Sequence, residues 1–313
     1  MKLLLYFAAA AAAAAAPAPQ IYSLAWRPDG GVIALGGYKE VRLVDAATRK
    51  PLAAFSGHAE AVRALAFSRD GKWLAAAGGL PARKGEVRIW DVAAQTAART
   101  ISGHSDCIYA VAFSPDGAML ATASYDRAIK LWDVSSGKEI RTLRDHVDAV
   151  YALAFTPDGK RLVSGSADRS VKIWDVATGA RIYTLSDPTD GVNAIALSPD
   201  GARVAAGGLD KTIRVWRLGE KEGTLENSLI AHEDAILKLA WSPDGKTLAS
   251  ASADRTIKLL RAADLSEIRS MAKLPDWVFG LEFSPDGKSL AAGLFNGAVE
   301  IYEVDHAKAL AAK

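Results

Sequence analysis

The chain has 313 residues, 50% of them hydrophobic and 24% charged, with 38 basic against 36 acidic side chains for a formal net charge of +2. The hydrophobic share excludes a mainly disordered polypeptide, and the charge balance excludes a bulk electrostatic case for nucleic acid or anionic lipid, leaving room only for a local basic patch. The single cysteine, Cys107, excludes an internal disulfide scaffold, a CxxCH haem attachment and a cysteine zinc site, and reads as a buried, inert thiol.

Residues 1–20 read MKLLLYFAAAAAAAAAPAPQ. Lys2 precedes a fourteen-residue apolar run, Leu3 to Ala16, and small residues follow. That is the layout of a secretory signal peptide, and the run is short of the ~18–20 residues of a spanning helix. The expectation is an exported protein, periplasmic or extracellular. The alternative is a low-complexity tail on a cytoplasmic one. No later segment has eighteen uninterrupted apolar residues, so no stable membrane insertion is expected once the leader is removed.

The remainder is one unit repeated. Pro-Asp-Gly occurs at 28–30, 115–117, 157–159, 199–201, 243–245 and 285–287, and Arg69-Asp70-Gly71 fills the one gap. From Asp29 the steps to the next aspartate are 41, 46, 42, 42, 44 and 42 residues. Each landmark follows an alternating apolar stretch such as YAVAFS and precedes three more, such as KRLVSGS, SVKIWDV and ARIYTL. The period of two predicts strands. Proline presets its backbone angle, aspartate bonds nearby amides and glycine accepts unusual angles, so Pro-Asp-Gly predicts a tight turn. Each unit is therefore expected to be a four-stranded antiparallel meander. One such sheet cannot bury both faces alone. Seven packed face to face around an axis can, which predicts an all-β, seven-bladed β-propeller over residues 21–305.

Units ending in Trp90-Asp91, Trp132-Asp133 and Trp174-Asp175, with Gly57-His58 and Gly103-His104 opening two of them, resemble WD repeats across nearly the whole chain after the leader. The resemblance implies a hydrogen-bond tetrad of His, Ser or Thr, Asp and Trp. Two units carry it in full, His104, Thr122, Asp126 and Trp132, then His146, Ser164, Asp168 and Trp174, and a third has His232, Ser250 and Asp254 with Leu260 in place of tryptophan. A recurring trio whose fourth member is an indole, which can only donate, reads as structure rather than as a nucleophilic triad. Other units depart from the pattern. The fifth has Pro188, Ala206 and Trp216-Arg217, the seventh has Ala292, Asn296 and Tyr302-Glu303, and the first has no histidine. These are expected to be locally weaker, above all where first and last units meet. Propellers of this family commonly complete the last blade with an N-terminal strand. With the leader removed, that strand would have to come from the tail, 306–313, an alanine-rich and poor strand former.

No nucleotide-binding, hydrolase, zinc or calcium motif stands out. Glu282 stands where the other units carry alanine, and reads as a solvated or channel-water-bound carboxylate. Aligning the units places Tyr22, Arg63, Tyr109, Tyr151, Asn193, Leu237 and Phe279 at one position after the start of the first strand. The residue before the turn aspartate gives Tyr125, Ala167, Leu209, Ala253 and Phe295, with Trp277 expected beside Phe279. In WD repeats these positions share the top rim. Aromatics and arginine are the usual anchors of an interface; plugging the channel or wedging between blades is the alternative. An enlarged turn, GGLPARKGE, adds Arg83 and Lys84, and Arg127, Arg169, Lys211 and Arg255 follow turn aspartates as either a broken basic ring or solvated charge. The expectation is a monomeric, non-catalytic scaffold for protein partners, without cofactor, metal or nucleic acid. The alternatives are an enzyme or ligand sensor using the central channel, or an accessory propeller of a larger exported protein.

Overall fold

A computed structural model describes residues 19–304, all of whose regular structure is β-strand. The leader up to residue 18 and the tail from residue 305 lie outside the described residues, and with them the signal peptide and the tail as a closing strand. Pro19 and Gln20, assigned to the leader, touch the fold: the Pro19 carbonyl accepts Arg42 Nη2 and Gln20 Oε1 accepts the Tyr22 hydroxyl.

The first sheet is seven-stranded, in the order β1 (Ser23–Trp26), β2 (Val32–Gly36), β3 (Tyr38–Asp45), β4 (Pro51–Phe67), β5 (Trp73–Leu80), β6 (Lys84–Asp91) and β7 (Thr96–Ser102). Four four-stranded antiparallel meanders follow, each in sequence order: β8–β11 within residues 108–143, β12–β15 within 150–185, β16–β19 within 192–230 and β20–β23 within 236–271. Strands β24–β26, within 278–303, form a three-stranded sheet.

Two features correct the expectation of seven equal four-stranded meanders. The last sheet has no fourth strand among the described residues. The first two units are fused, because the 17-residue β4 pairs with β3 through its first half and with β5 through its second. The cause is local. In the third, fourth and sixth units the turn aspartate accepts the main-chain N–H just after the histidine, at Ser105, Val147 and Glu233, and gathers that segment into a loop. The second unit has the Leu80–Lys84 hairpin where that aspartate would stand, so residues 57–61 stay extended and Ala61 pairs with Tyr38.

The landmark turns are built as their residue types require. In Ser114-Pro115-Asp116-Gly117, Asp116 Oδ1 accepts the Ser114 hydroxyl and the Ala118 N–H, Ser114 Oγ accepts the Met119 N–H, and Gly117 takes φ +72°. The Ser or Thr before the proline recurs at Thr156, Ser198, Ser242 and Ser284, each bonded to its aspartate. The aspartate of each Trp-Asp pair caps the next turn, as where Asp133 accepts the Ser136 N–H and Asp175 the Thr178 N–H.

The core lies between sheets. Each apolar cluster draws on two neighbouring units: Ala75, Val87 and Ile89 with Leu120 and Trp132, or Val163 and Ile173 with Val204 and Trp216. One cluster joins the beginning of the described chain to its end, packing Ile21, Leu24, Ile33 and Leu35 against Ala291. The first strands of the units are neighbours in turn: β1 packs on β4, β4 on β8, and so on through β12, β16 and β20 to β24, which packs on β1.

At that last contact Glu282, on β24, is no solvated carboxylate. Its Oε2 accepts the Trp26 main-chain N–H at 2.8 Å, and the Trp26 indole donates to the Glu282 carbonyl at 3.2 Å. The residue is half-buried, yet its carboxyl is walled in, and burial pushes its pKa from 4.5 up to about 7. A folded-state pKa above the unfolded value means that this group's contribution is full below pH 4.5 and is lost as pH rises through about 7. We expect denaturant unfolding to show the wild type losing roughly 1–3 kcal/mol relative to Glu282→Gln between mildly acidic and mildly alkaline pH. Parallel pH profiles of the two proteins would show that the carboxyl does not titrate at this contact.

Candidate functional site

Seven aligned positions converge on one cavity because six of them sit in β-bulges. In β12 (Val150–Phe155), Val150 pairs with Ser166 and Ala152 with Gly165, so Tyr151 has no partner in the ladder. The same skip leaves out Arg63, Tyr109, Asn193, Leu237 and Phe279. A bulge re-aims the extra side chain and twists the strand end. Here each one turns its residue toward the axis. Together with Tyr22, just before β1, and with Lys238 and Phe295, they line a cavity of about 420 Å³. A narrower cavity of about 180 Å³ shares Arg63, Tyr109, Tyr151, Asn193, Lys238 and Phe279 and continues between the first strands. The aromatics thus line an opening rather than fill it, and they are half-buried.

The rings form a continuous arc. Trp277 meets Phe279 edge-on at 6.2 Å between centroids, Phe279 meets Phe295 at 5.7 Å, and Phe295 meets Tyr22 at 5.7 Å. The Arg63 guanidinium bridges Tyr22 and Tyr109, at 6.0 and 5.1 Å from their centroids. Tyr109 then contacts Tyr151 at 5.1 Å and Tyr125 at 6.3 Å. Trp277 and Tyr125 remain 46% and 49% exposed at the two ends, an unusual exposure for rings so well fixed. The Trp277 indole is pinned by a bond to the Ala253 carbonyl of the neighbouring unit. Arg83 and Lys84 stay outside this arc. They are exposed on the long hairpin, whose Ala82 N–H is accepted by Asp106 at the rim, and Lys84 pairs with Glu86. Arg127, Arg169, Lys211 and Arg255 are exposed and all have positive φ, 62–69°.

The tetrads are assembled as hydrogen-bonded chains. In the third unit Asp126 Oδ2 bonds His104 Nδ1 at 2.9 Å, His104 Nε2 bonds Thr122 Oγ1 at 2.7 Å, and the Trp132 indole donates to the same hydroxyl at 2.9 Å. In the fourth the distances are 2.7 Å for His146–Asp168, 2.8 Å for His146–Ser164 and 2.9 Å for Trp174–Ser164. In the sixth, His232 meets Ser250 at 2.8 Å, Asp254 at 3.1 Å and Thr256 at 3.0 Å. Burial would raise the Asp126 carboxyl, but the His104 bond and charge outweigh it and hold it at about 2; Asp168 is held low for the same reasons, and burial lowers the pKa of His232. Thr122, Ser164 and Ser250 are 0% exposed, so no substrate atom reaches these hydroxyls.

Where the pattern has decayed, the structure shows what replaced it. In the fifth unit the Trp216 indole donates to Asp187 at 2.8 Å, one residue before Pro188 at the histidine position, while Asp210 takes the Thr189 N–H and pairs with Arg214 at 2.6 Å. Alignment on histidine alone misses Asp187. The second unit has histidine and tryptophan but Ala76 at the hydroxyl position. His58 Nε2 and Trp90 Nε1 are consequently buried with no hydrogen-bond partner among the described residues, with ring centroids 6.0 Å apart, close to the 5.9 and 6.3 Å of the complete units. Burial, and then the Arg88 charge, drive the His58 pKa down to about 4.

Cys107 is buried, its thiol against the Gly79 carbonyl, and burial raises its pKa. Among the described residues no group of three or more His, Cys, Asp or Glu side chains could hold a metal ion. Lys238 was missed by sequence reasoning. It occupies a position that is Ala64, Ala110, Ala152 or Ala194 in other units, the kind of departure that singles out Glu282.

Comparison with known proteins gives similarities along most of the chain. Residues 150–311, a little over half of it, match the family model described as the IFT122 first beta-propeller. Residues 49–91 and 95–133 match that of the WD domain, G-beta repeat. Among curated proteins, a target of rapamycin complex subunit, wat1 of Schizosaccharomyces pombe, is 45% identical over 58 residues, a stretch that covers 18% of either chain.

Two stability measurements check the tetrad geometry. Ala76→Ser supplies the hydroxyl that both orphaned atoms lack and should stabilise the protein by about 1 kcal/mol; a variant no more stable than wild type would show that the two atoms are satisfied in another way. Asp168→Ala should cost about 1–3 kcal/mol by stranding His146 and the Val147 N–H. An unchanged denaturation midpoint would remove the structural role of that chain of bonds.

Proposed function

Because this chain belongs to the WD-repeat β-propeller family, we propose that it is a non-catalytic scaffold, a seven-bladed ring whose protein partner docks on the face carrying the aromatic arc. Such propellers are generally non-catalytic scaffolds that bind proteins. The observation that carries the docking face is the arc itself: seven rings and an arginine, on consecutive strand ends, around a cavity of about 420 Å³. Rigid aromatics with part of their surface exposed lose little conformational entropy on binding, and tryptophan, tyrosine and arginine dominate interface energetics. The face-sharing clusters, including the one between Ile21 and Ala291, support a ring in which the first and last blades meet. The similarity to a complex subunit favours the scaffold reading as well. The leader-like sequence of residues 1–20 favours a place of action outside the cytoplasm, and the partner surface of a monomer needs no second copy.

The double substitution Tyr109→Ala with Trp277→Ala tests this. Neither side chain belongs to a buried core cluster, so the melting temperature should stay near that of the wild type. Crosslinked capture from the native host, read by mass spectrometry, should lose its specific partner, with affinity falling at least about thirtyfold for two anchors worth about 2 kcal/mol or more. Undiminished capture by a folded double variant would move the docking site off this face.

A further inference from the structure

The cavity at the arc has walls of one charge. Its lining and that of the narrower space beneath it include two cationic side chains, Arg63 and Lys238, and no aspartate or glutamate. Arg63 lies between Tyr22 and Tyr109, which take up its faces, while its Nε is buried with no hydrogen-bond partner among the described residues. Lys238 stands where the other units place serine, alanine or glycine on the same wall. The residue is half-buried in the cavity wall, and burial alone pushes its pKa down, with no carboxylate offsetting the loss of water.

The acids next to the cavity residues are held by main-chain donors. Asp106 accepts the Ala82 and Cys107 N–H groups, and Asp148 accepts that of Ala149, both out at the rim. Glu282 holds the Trp26 N–H and lines neither cavity. Arg63 and Lys238 are both half-buried, and two cationic side chains facing one opening with no carboxylate in its lining form a preorganised receptor for an anion. Burial raises the pKa of Tyr109 and Tyr151, so both remain hydroxyl donors at the opening. Asn193 is spoken for by the Ile236 carbonyl. The remaining wall is aromatic and aliphatic, and the volume suits one side chain with its apolar flank.

We infer that the cavity is a carboxylate-accepting site, in which an acidic side chain of the docked protein, flanked by an apolar residue, is held between Arg63 and Lys238 with its apolar neighbour against the tyrosine and phenylalanine rings. This rests on the docking face proposed above and names the chemistry of what enters it. An acidic partner docks because it supplies the charge that the chain's own sequence withholds from this opening.

The test uses the full chain and a small probe. Phenylacetate carries a carboxylate on an aromatic body, and phenylacetamide is its uncharged counterpart. In an NMR titration at millimolar probe, phenylacetate should move the Lys238 side-chain resonances and shift its titration upward, and phenylacetamide should do neither. Lys238→Met and Arg63→Gln should each weaken phenylacetate binding by about tenfold or more. Lys238 resonances indifferent to phenylacetate, or equal binding by Lys238→Met, would overturn the inference. The wild-type titration decides the matter even if a substitution unfolds the chain. Partner capture separates this inference from the docking face. If Tyr109→Ala with Trp277→Ala loses the partner while Lys238→Met keeps it, the face stands and the carboxylate is not what enters. If phenylacetate binds as expected while neither variant affects capture, the anion site stands and the docking face falls.

Discussion

The structure depends on one constraint: every sheet has two apolar faces, and each face can be buried only against the next sheet. No unit has an interior of its own, as the clusters shared between neighbours show. That explains the composition of the first strands. They approach each other around the narrower cavity, and most of them present a small residue to it, as at Ala64, Ala110, Ala152 and Ala194. Larger buried residues fill the spaces between sheets on first and third strands alike, as Ile108, Trp241 and Phe283 do with Ile89, Leu131, Ile173 and Trp216. Burial between sheets tolerates loss of the polar tetrad in several units, because the hydrogen bonds tie turns to strands and the apolar faces hold the sheets together.

The candidate site is a by-product of one local device used repeatedly. A bulge at the start of a first strand costs a ladder bond and turns one side chain toward the axis. Done once, this makes an irregular strand end. Done on six consecutive strands, it surrounds an opening with side chains that pack on each other, and their identity is then free to vary because the ladder does not use them. Arginine, tyrosine, asparagine, leucine and phenylalanine all occupy the position without altering the pairing on either side. Core positions lack that freedom.

Much of this was legible in the sequence, and the exceptions have physical causes. Even spacing of Asp-Gly turns and a period of two point to the repeated antiparallel unit, and alignment of the repeats finds the ring residues and the tetrads, since each depends only on position within a unit. What depends on a contact between units is not legible that way. The fusion of the first two units follows from a missing turn aspartate, whose absence is plain in the sequence but whose effect on residues 57–61 is exerted across a loop. Glu282 looked like a channel carboxylate because alanine occupies its position elsewhere; that it serves the main chain of Trp26 depends on a contact between residues 256 apart in sequence. Asp187 is not found by the repeat pattern because its indole partner is 29 residues away and it stands one residue before the histidine position, which Pro188 fills.

Glu282 and Lys238 make the opposite use of the same kind of position. Both replace a small residue on a first strand, and both lose water by doing so. Glu282 recovers part of that loss from a donor of the chain, at the contact between the first and last units, where a bond that spans the junction adds to the apolar packing of Ile21, Leu24 and Ala291. Lys238 recovers nothing from the chain. A half-buried charge with no carboxylate beside it in the cavity lining is one that an incoming anion would stabilise. The same reasoning separates Arg63 from Arg127, Arg169, Lys211 and Arg255: those four are exposed, whereas Arg63 is half-buried between tyrosine rings at the opening. Of all the cations on this face, the two that line the opening are therefore the two for which an incoming carboxylate would change the energy most.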